Sequence, residues 1–245
     1  LGPPRPRPRG FCFMRVTFLV YGFNLYHSVK AAEKSAPGKR LRWLNLWGLC
    51  DTIVRSSLGH GYVLDSVHYY SALAQHLESR KPDVVRRHRT FLAALETTGV
   101  SVNLAKFKKK ERVVTLAESR VQFQPVRRWW HLPLRSIRVS FKTHEEKETD
   151  VAIACKLFEM LHHGQCDVVV LLTGDTDIAP AIRTGRSLHP SHEIVMAFPF
   201  QRYNQELAKL VTRSVKLSAQ LYASHQFPAT VVTARGKVIT KPPSW

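Results

Sequence analysis

The stretch V-V-V-L-L-T-G-D-T-D, residues 168–177, decides the fold of this 245-residue chain. Five consecutive apolar residues at 168–172 predict a strand that is covered on both faces, as in the middle of a parallel sheet. The turn that follows carries Thr173, Asp175 and Asp177. Ligands of open parallel sheets bind beyond the carboxyl ends of the strands. The turn is therefore predicted to lie at a functional site.

Predicted strands and helices alternate on both sides of this stretch. Strands are predicted at residues 16–20, 63–70, 100–107, 168–172 and 194–198, and helices from residue 24, over 82–98, 151–161 and 178–188, and around 205–211. This order predicts an α/β fold, a doubly wound and mostly parallel sheet with helices on both faces. Residues 108–144 interrupt the pattern with polar and basic sequence, and we interpret them as an insertion, a β-hairpin rather than a domain.

The two ends of the chain differ in composition from the predicted domain, which covers residues 14–226. Residues 1–13 begin with four prolines and three arginines in ten positions, which predicts a disordered leader, with Met14 as a candidate natural start. Residues 227–245 are predicted to form a peripheral strand and a tail. No apolar run approaches the roughly 18 residues of a membrane span, so no membrane partner is expected.

The charge balance points to a polyanionic partner. There are 37 Lys and Arg against 18 Asp and Glu, a formal net charge of +19, and such a chain attracts nucleic acid. The four cysteines are far apart and show no zinc-site or disulfide pattern, which favours a reducing, cytoplasmic location.

Dense basic groups are candidates for the nucleic-acid contact, although each alone can be a solvated surface. The candidate residues are Arg86, Arg87, Lys108, Lys109, Lys110, Arg127, Arg128, Trp129 and Trp130. The last four combine arginines, which pair with phosphate, and tryptophans, which stack on unpaired bases. One of the two tryptophans is equally well explained as an anchor of the insertion on the core.

Acidic residues gather in one part of this basic chain. Eight of the 18 lie between Glu145 and Asp177. They include two clusters, at residues 145–150 and 173–177, and each cluster alone is explained by helix capping. If Asp150, which opens a predicted helix, meets Asp175 and Asp177, the three carboxylates need a hard cation such as Mg²⁺ or Mn²⁺. An acidic metal centre in a basic protein suits phosphodiester hydrolysis.

Four motifs carry a resemblance to a known family. They are Y-G-F-N-L-Y at residues 21–26, E-K-E-T-D-V at 146–151, V-L-L-T-G-D-T-D-I-A-P at 170–180 and N-Q-E-L at 204–207. Over residues 15–217 the chain resembles the NYN-domain family (LabA-like), a branch of the PIN-like metal-dependent ribonucleases. The resemblance implies a doubly wound fold, an RNA substrate that is single-stranded or structured, and Mg²⁺ or Mn²⁺. It also implies Asp150, Asp175 and Asp177 as metal ligands, Asn24 beside them as a further catalytic residue, and Thr173 in the turn.

Tyr21 departs from the family motif, in which the first strand ends in Asp-Gly-x-Asn. A phenol with a reference pKa of about 10 is neutral at pH 7 and is a poor ligand for a hard cation. We therefore expect a metal-dependent endoribonuclease of single-stranded RNA whose activity is attenuated.

Other functions compete with this hypothesis. The main alternative is a catalytically inactive RNA-binding protein of the same fold. A haloacid-dehalogenase-type phosphatase ranks lower, because the first strand lacks the D-x-D pair of that class. A dinucleotide-binding site is excluded, since Gly22 stands alone where G-x-G-x-x-G is needed. The sequence leaves a homodimer open.

Overall fold

The computed structural model describes residues 13–79, 81–116 and 137–245, and it describes no side chains between residues 106 and 147. The strands are β1 (Met14–Tyr21), β2 (Tyr62–Ala72), β3 (Ser101–Leu116), β4 (Ile137–Lys147), β5 (Val168–Leu172), β6 (Glu193–Phe198), β7 (Arg213–Lys216), β8 (Thr230–Val232) and β9 (Val238–Thr240). The α-helices are α1 (Gly22–Ser35), α2 (Leu46–Ile53), α3 (Asp83–Glu96), α4 (Thr149–His163), α5 (Ala179–Leu188), α6 (Gln205–Lys209) and α7 (Ala219–Ser224). A π-helical turn (Val54–Leu58) and two 3₁₀ turns (Gln75–Leu77 and Thr176–Ile178) complete the described elements.

One seven-stranded sheet organises the molecule, with the strand order β4-β3-β2-β1-β5-β6-β7. All neighbouring strands are parallel except β3 and β4. The chain winds outward from β1 to β4, returns to place β5 beside β1, and then winds outward in the other direction. The predicted doubly wound α/β fold is confirmed, and its topological switch point lies between β1 and β5.

The sheet separates two apolar layers. Val16, Phe18 and Val20 of β1 belong to the layer that contains residues of α1, α2 and α3. Leu19 and Tyr21 belong to the opposite layer, which contains residues of α4 and α5. All five residues of β5 are buried, as expected for a strand with helices on both faces.

The predicted insertion begins as an antiparallel hairpin. Residues 106–116 of β3 pair with residues 137–147 of β4. The pairing of β3 with β2 ends at Ala105, opposite Ala72, so the hairpin arms continue past the carboxyl end of β2. Residues 117–136 lie outside the described part of the chain, as do residues 1–12, on which the predicted leader falls.

Residues 227–245 form more than the single peripheral strand and tail expected from the sequence. The strands β8 and β9 pair antiparallel. The ring of Trp245 lies 5.6 Å from the ring of Phe91 and 6.5 Å from that of Trp43, and Trp245 is buried. The segment thus adds a large aromatic side chain to the apolar layer that contains residues of α3. Burial of an indole ring is favourable because it removes a large apolar surface from water.

No helix in the described ranges combines the length and the apolar character needed to cross a bilayer. The described cysteines are free thiols, of which Cys50 and Cys166 are buried and Cys155 is exposed.

Candidate active site

The candidate site lies at the switch point, where β1 and β5 end side by side. Val20 is paired with Leu172, so the segments after these strands leave the sheet together. Gly22 starts α1 directly against β2, and a Cβ there would lie 2.7 Å from the carbonyl oxygen of Tyr70. Only glycine allows this close approach, which places the first turn of α1 beside the site.

The turn after β5 is held by three hydrogen bonds. Thr173 Oγ1 accepts from the backbone N–H of Asp175 (3.1 Å), and Asp175 Oδ1 accepts from the N–H of Asp177 (3.3 Å). Asn24 Oδ1 accepts from the N–H of Gly174 (3.1 Å). Thr173 therefore shapes the turn as the resemblance implies, and Asn24 ties the turn to α1.

Gly174 is also packed against the loop after β6. A Cβ on Gly174 would lie 2.1 Å from the carbonyl oxygen of Arg202. That loop is itself anchored, since Ser28 Oγ donates to the carbonyl oxygen of Phe200 (2.8 Å) and Tyr222 Oη accepts from the N–H of Phe200 (3.0 Å). The acidic turn thus contacts two segments, α1 and the anchored loop after β6.

Asp150 approaches this turn from α4. It lies in the first turn of the helix, which follows Glu148 in a left-handed conformation (φ 77°). Burial raises the pKa of Asp150, and the negative charges of Asp175 and Asp177 raise it further. The charges of Asp175 and Asp177 therefore reach Asp150, although it comes from a separate segment of the chain.

Tyr21 is the last residue of β1. Its side chain is 8% exposed and belongs to the apolar layer that also contains Ile153, one turn after Asp150, and Ile178, next to Asp177. A bulky aromatic residue thus stands where the family motif has a carboxylate.

The donors that Asp150, Asp175 and Asp177 offer are carboxylate oxygens. Carboxylate oxygens that repel one another suit a hard ion such as Mg²⁺ or Mn²⁺. As the side chains stand, however, no group of three or more His, Cys, Asp or Glu residues in the described ranges is arranged to hold a metal ion. The chemistry of the donors fits the cation, whereas their arrangement in this structure does not form such a group. The role of Asp150, Asp175 and Asp177 as ligands stays a prediction.

The predicted nucleic-acid residues are only partly described. Arg86 and Arg87 lie near the start of α3; Arg86 pairs with Asp83 (2.6 Å) and Arg87 donates to Ser244 Oγ (2.9 Å). The side chains of Lys108, Lys109 and Lys110 lie outside the described part of the structure. The same is true of Arg127, Arg128, Trp129 and Trp130, so the structure leaves their role as a prediction.

The N-Q-E-L motif has a simple structural role. Asn204 Oδ1 accepts from the N–H of Leu207 (3.1 Å), which caps the amino end of α6.

Sequence reasoning missed residues around the site whose positions depend on the tertiary structure. Arg202 contributes both a carbonyl group beside Gly174 and a positive charge that, with Lys30, lowers the pKa of His27; burial of His27 is the larger cause. The spacing of Phe23, His27 and Lys30, at i, i+4 and i+7 of a helix, was the signal that could have identified this face of α1.

Comparisons with known proteins agree with this architecture. A crystal structure of a protein of unknown function from Vibrio parahaemolyticus is similar to this chain with a TM-score of 0.50 and 14% sequence identity; the match covers 86% of this chain and 97% of that one. This likeness shows a shared fold. No protein with a curated description matches this chain significantly.

The family model of the NYN domain matches residues 23–218, from the second residue of α1 to the residue before α7. The match begins two residues after Tyr21, and the narrower LabA-like assignment stays a prediction. Because the match covers most of the sequence, the chain belongs to the NYN-domain family, a branch of the PIN-like ribonuclease superfamily.

Proposed function

We propose that this protein is an endoribonuclease of single-stranded RNA whose metal-dependent activity is attenuated at Tyr21. The observation that carries the proposal is the partial burial of Asp150 within reach of the negative charges of Asp175 and Asp177, which follow β5 at the switch point of the sheet. Repelling carboxylates cost stability unless they serve a ligand, and active sites are where such arrangements concentrate. The family membership supports RNA as the substrate.

The candidate residues of the site would have different roles in the reaction. Asp150, Asp175 and Asp177 would hold Mg²⁺ or Mn²⁺, which when bound activates water and stabilises charge on the phosphoryl oxygens. Asn24 positions the acidic turn through its hydrogen bond to Gly174. The net charge of +19 draws the RNA to the protein.

Tyr21 explains why activity would be weak. Its phenol brings no negative charge, and its buried ring belongs to the apolar layer at the end of β1. The loss of one carboxylate is expected to weaken the binding of a divalent cation, whose affinity depends on the number of charged ligands.

A second candidate function is RNA binding without cleavage. It is favoured by Tyr21 and by the arrangement of the described carboxylates, which does not form a group that could hold a metal ion. The two functions predict the same affinity for RNA in the absence of metal. They differ in whether the natural protein cleaves RNA weakly with metal and in whether restoring a carboxylate increases that cleavage.

The test is to compare the natural protein with Tyr21→Asp and Tyr21→Asn. Asn has the shape of Asp without its charge, so it controls for the removal of the ring. A 5′-labelled unstructured RNA is incubated with Mn²⁺, with Mg²⁺ or with EDTA, and Mn²⁺ binding is measured by calorimetry. We expect metal-dependent cleavage to rise at least about tenfold in Tyr21→Asp alone, and to be lost on adding Asp175→Asn.

Absence of both cleavage and Mn²⁺ binding in every variant would reject the nuclease. RNA binding retained in that case would establish the second candidate.

A further inference from the structure

An aromatic and cationic stripe runs along the exposed side of α1. Phe23 (45% exposed), Tyr26 (39%), His27 and Lys30 are spaced i, i+3, i+4 and i+7, so they share one face of the helix. The ring of Phe23 lies 4.4 Å from that of His27, and the ring of Tyr26 lies 5.6 Å from it. Lys30 Nζ is 5.7 Å from the centre of the Tyr26 ring.

A second pair of exposed groups continues this surface on the loop after β6. Tyr203 is 48% exposed, and Lys216 Nζ lies 3.7 Å from the centroid of its ring. Arg202 precedes it and is also exposed. The loop lies against α1, because Ser28 Oγ donates to the carbonyl oxygen of Phe200. Arg202 also packs against Gly174, since a Cβ there would lie 3.0 Å from the Cβ of Arg202, and Gly174 is hydrogen-bonded to Asn24 of α1. The two parts of the surface are therefore neighbours.

We infer that Phe23, Tyr26, His27, Lys30, Arg202 and Tyr203 form a platform on which unpaired bases of a single-stranded nucleic acid stack. Exposed aromatic rings that alternate with cations match the repeating chemistry of such a strand, whose bases have free faces and whose phosphates are negative. A duplex offers no free base faces within its stack. A cationic protein partner would be repelled by Lys30, Arg202 and Lys216.

The platform leads directly to the candidate active site. Phe23 is followed by Asn24, whose amide oxygen binds Gly174 in the acidic turn. A strand stacked on Phe23 would therefore lie close to the acidic turn. The inference rests on the proposed function for what happens to the strand there, but the platform itself requires no hydrolysis.

The rigidity of the platform supports a binding role. The loop that carries Arg202 and Tyr203 is anchored by Ser28, Tyr222 and Gly174. The Tyr203 ring also packs edge-on against Phe198, with the centroids 5.0 Å apart. A preorganised surface loses little entropy when it binds a ligand, so exposed rings held in this way bind bases efficiently.

The test measures binding in EDTA, so that hydrolysis plays no part. Fluorescein-labelled 12-nucleotide single strands of RNA and of DNA, and the corresponding RNA duplex, are titrated with the natural protein and followed by fluorescence anisotropy. The variants are Phe23→Ala, Tyr203→Ala and their combination. The matched control is Phe13→Ala, because Phe13 is 53% exposed and precedes the amino end of β1, whereas the platform follows the carboxyl end of that strand.

We expect Phe23→Ala and Tyr203→Ala each to weaken single-strand binding by about fivefold or more, and the double variant more than either. Phe13→Ala should bind as the natural protein does, and the duplex should bind more weakly than the single strands. A comparison of the RNA and DNA strands shows which of them the platform prefers.

Unchanged affinity in the double variant, equal loss in Phe13→Ala, or a duplex bound as tightly as the single strands would overturn the inference. Aromatic-dependent binding without cleavage by Tyr21→Asp would reject the nuclease and leave the platform in place. If Tyr21→Asp cleaves RNA equally well with and without the substitutions Phe23→Ala and Tyr203→Ala, the nuclease is supported and the platform is rejected.

Discussion

The side-chain amide oxygen of Asn24 accepts a hydrogen bond from the backbone N–H of Gly174, at 3.1 Å, across 150 residues of sequence. This bond joins the segment that follows β1 to the segment that follows β5, at the point where the two halves of the sheet diverge. It fixes the acidic turn, which carries Asp175 and Asp177, relative to α1 and to the aromatic platform on that helix.

Removal of this bond should loosen the site. Asn24→Ala leaves the half-buried N–H of Gly174 without its partner, which typically costs about 1–2 kcal/mol. We expect the urea midpoint to fall accordingly, and any cleavage by Tyr21→Asp to fall with it. Asn103→Ala is the control, since Asn103 is exposed on β3. An Asn24→Ala protein as stable as the control would contradict the structural role.

Gly174 should tolerate no larger residue. A Cβ would meet the backbone carbonyl oxygen of Arg202 at 2.1 Å, and a backbone atom in an anchored loop cannot easily move aside. Gly174→Ala is expected to lower the free energy of unfolding by about 1–3 kcal/mol, as measured by denaturation with urea. Gly61→Ala is the matched control because nothing lies within 4 Å of its Cβ position. Equal effects of the two substitutions would rule out the steric explanation.

Asp150 should destabilise the metal-free protein. Its pKa is raised in the folded state, so above its unfolded pKa the ionised side chain favours the unfolded chain. Asp150→Asn removes one of three repelling charges and should raise the melting temperature at pH 7 in EDTA. Addition of Mn²⁺ should then stabilise the natural protein more than this variant. A lower melting temperature for Asp150→Asn in EDTA would refute the repulsion.

His88 should make the fold sensitive to mild acid. Burial lowers its pKa from 6.5 to about 4, and Ser71 Oγ is its hydrogen-bond partner at 3.4 Å. A histidine that is kept neutral in the fold contributes stability above the unfolded pKa, and this contribution is lost as the pH falls from 6.5 to about 4.

The effect of His88 is measurable with His88→Gln, which cannot titrate. The natural protein should lose on the order of 2 kcal/mol of stability through this group between pH 7 and pH 4, and the variant should lose correspondingly less in urea unfolding. Part of the acid sensitivity should persist, because burial also lowers the pKa of His68 and of His27. Identical pH profiles for the two proteins would show that His88 does not contribute.

Elements with a strong apolar pattern were predictable and those without one were not. The run at residues 168–172 identified β5, and the alternation of strands and helices identified the doubly wound sheet. The edge strand β7 was missed because Arg213–Lys216 contains one apolar residue, and it joins the sheet through backbone hydrogen bonds. The helix α2 was missed as well, since its eight residues are too few to show a clear period.

For the candidate site, the sequence by itself determined the types of residue: two aspartates after a buried strand, one at a helix start, and a tyrosine where a carboxylate is usual. Only the tertiary structure decided that the charges of that turn act on Asp150, that Asn24 and Arg202 contact the turn, and that the loop carrying Tyr203 lies against α1. The physical reason is that local patterns record which side chains prefer burial, whereas distances between remote residues are set by how the helices pack on the sheet.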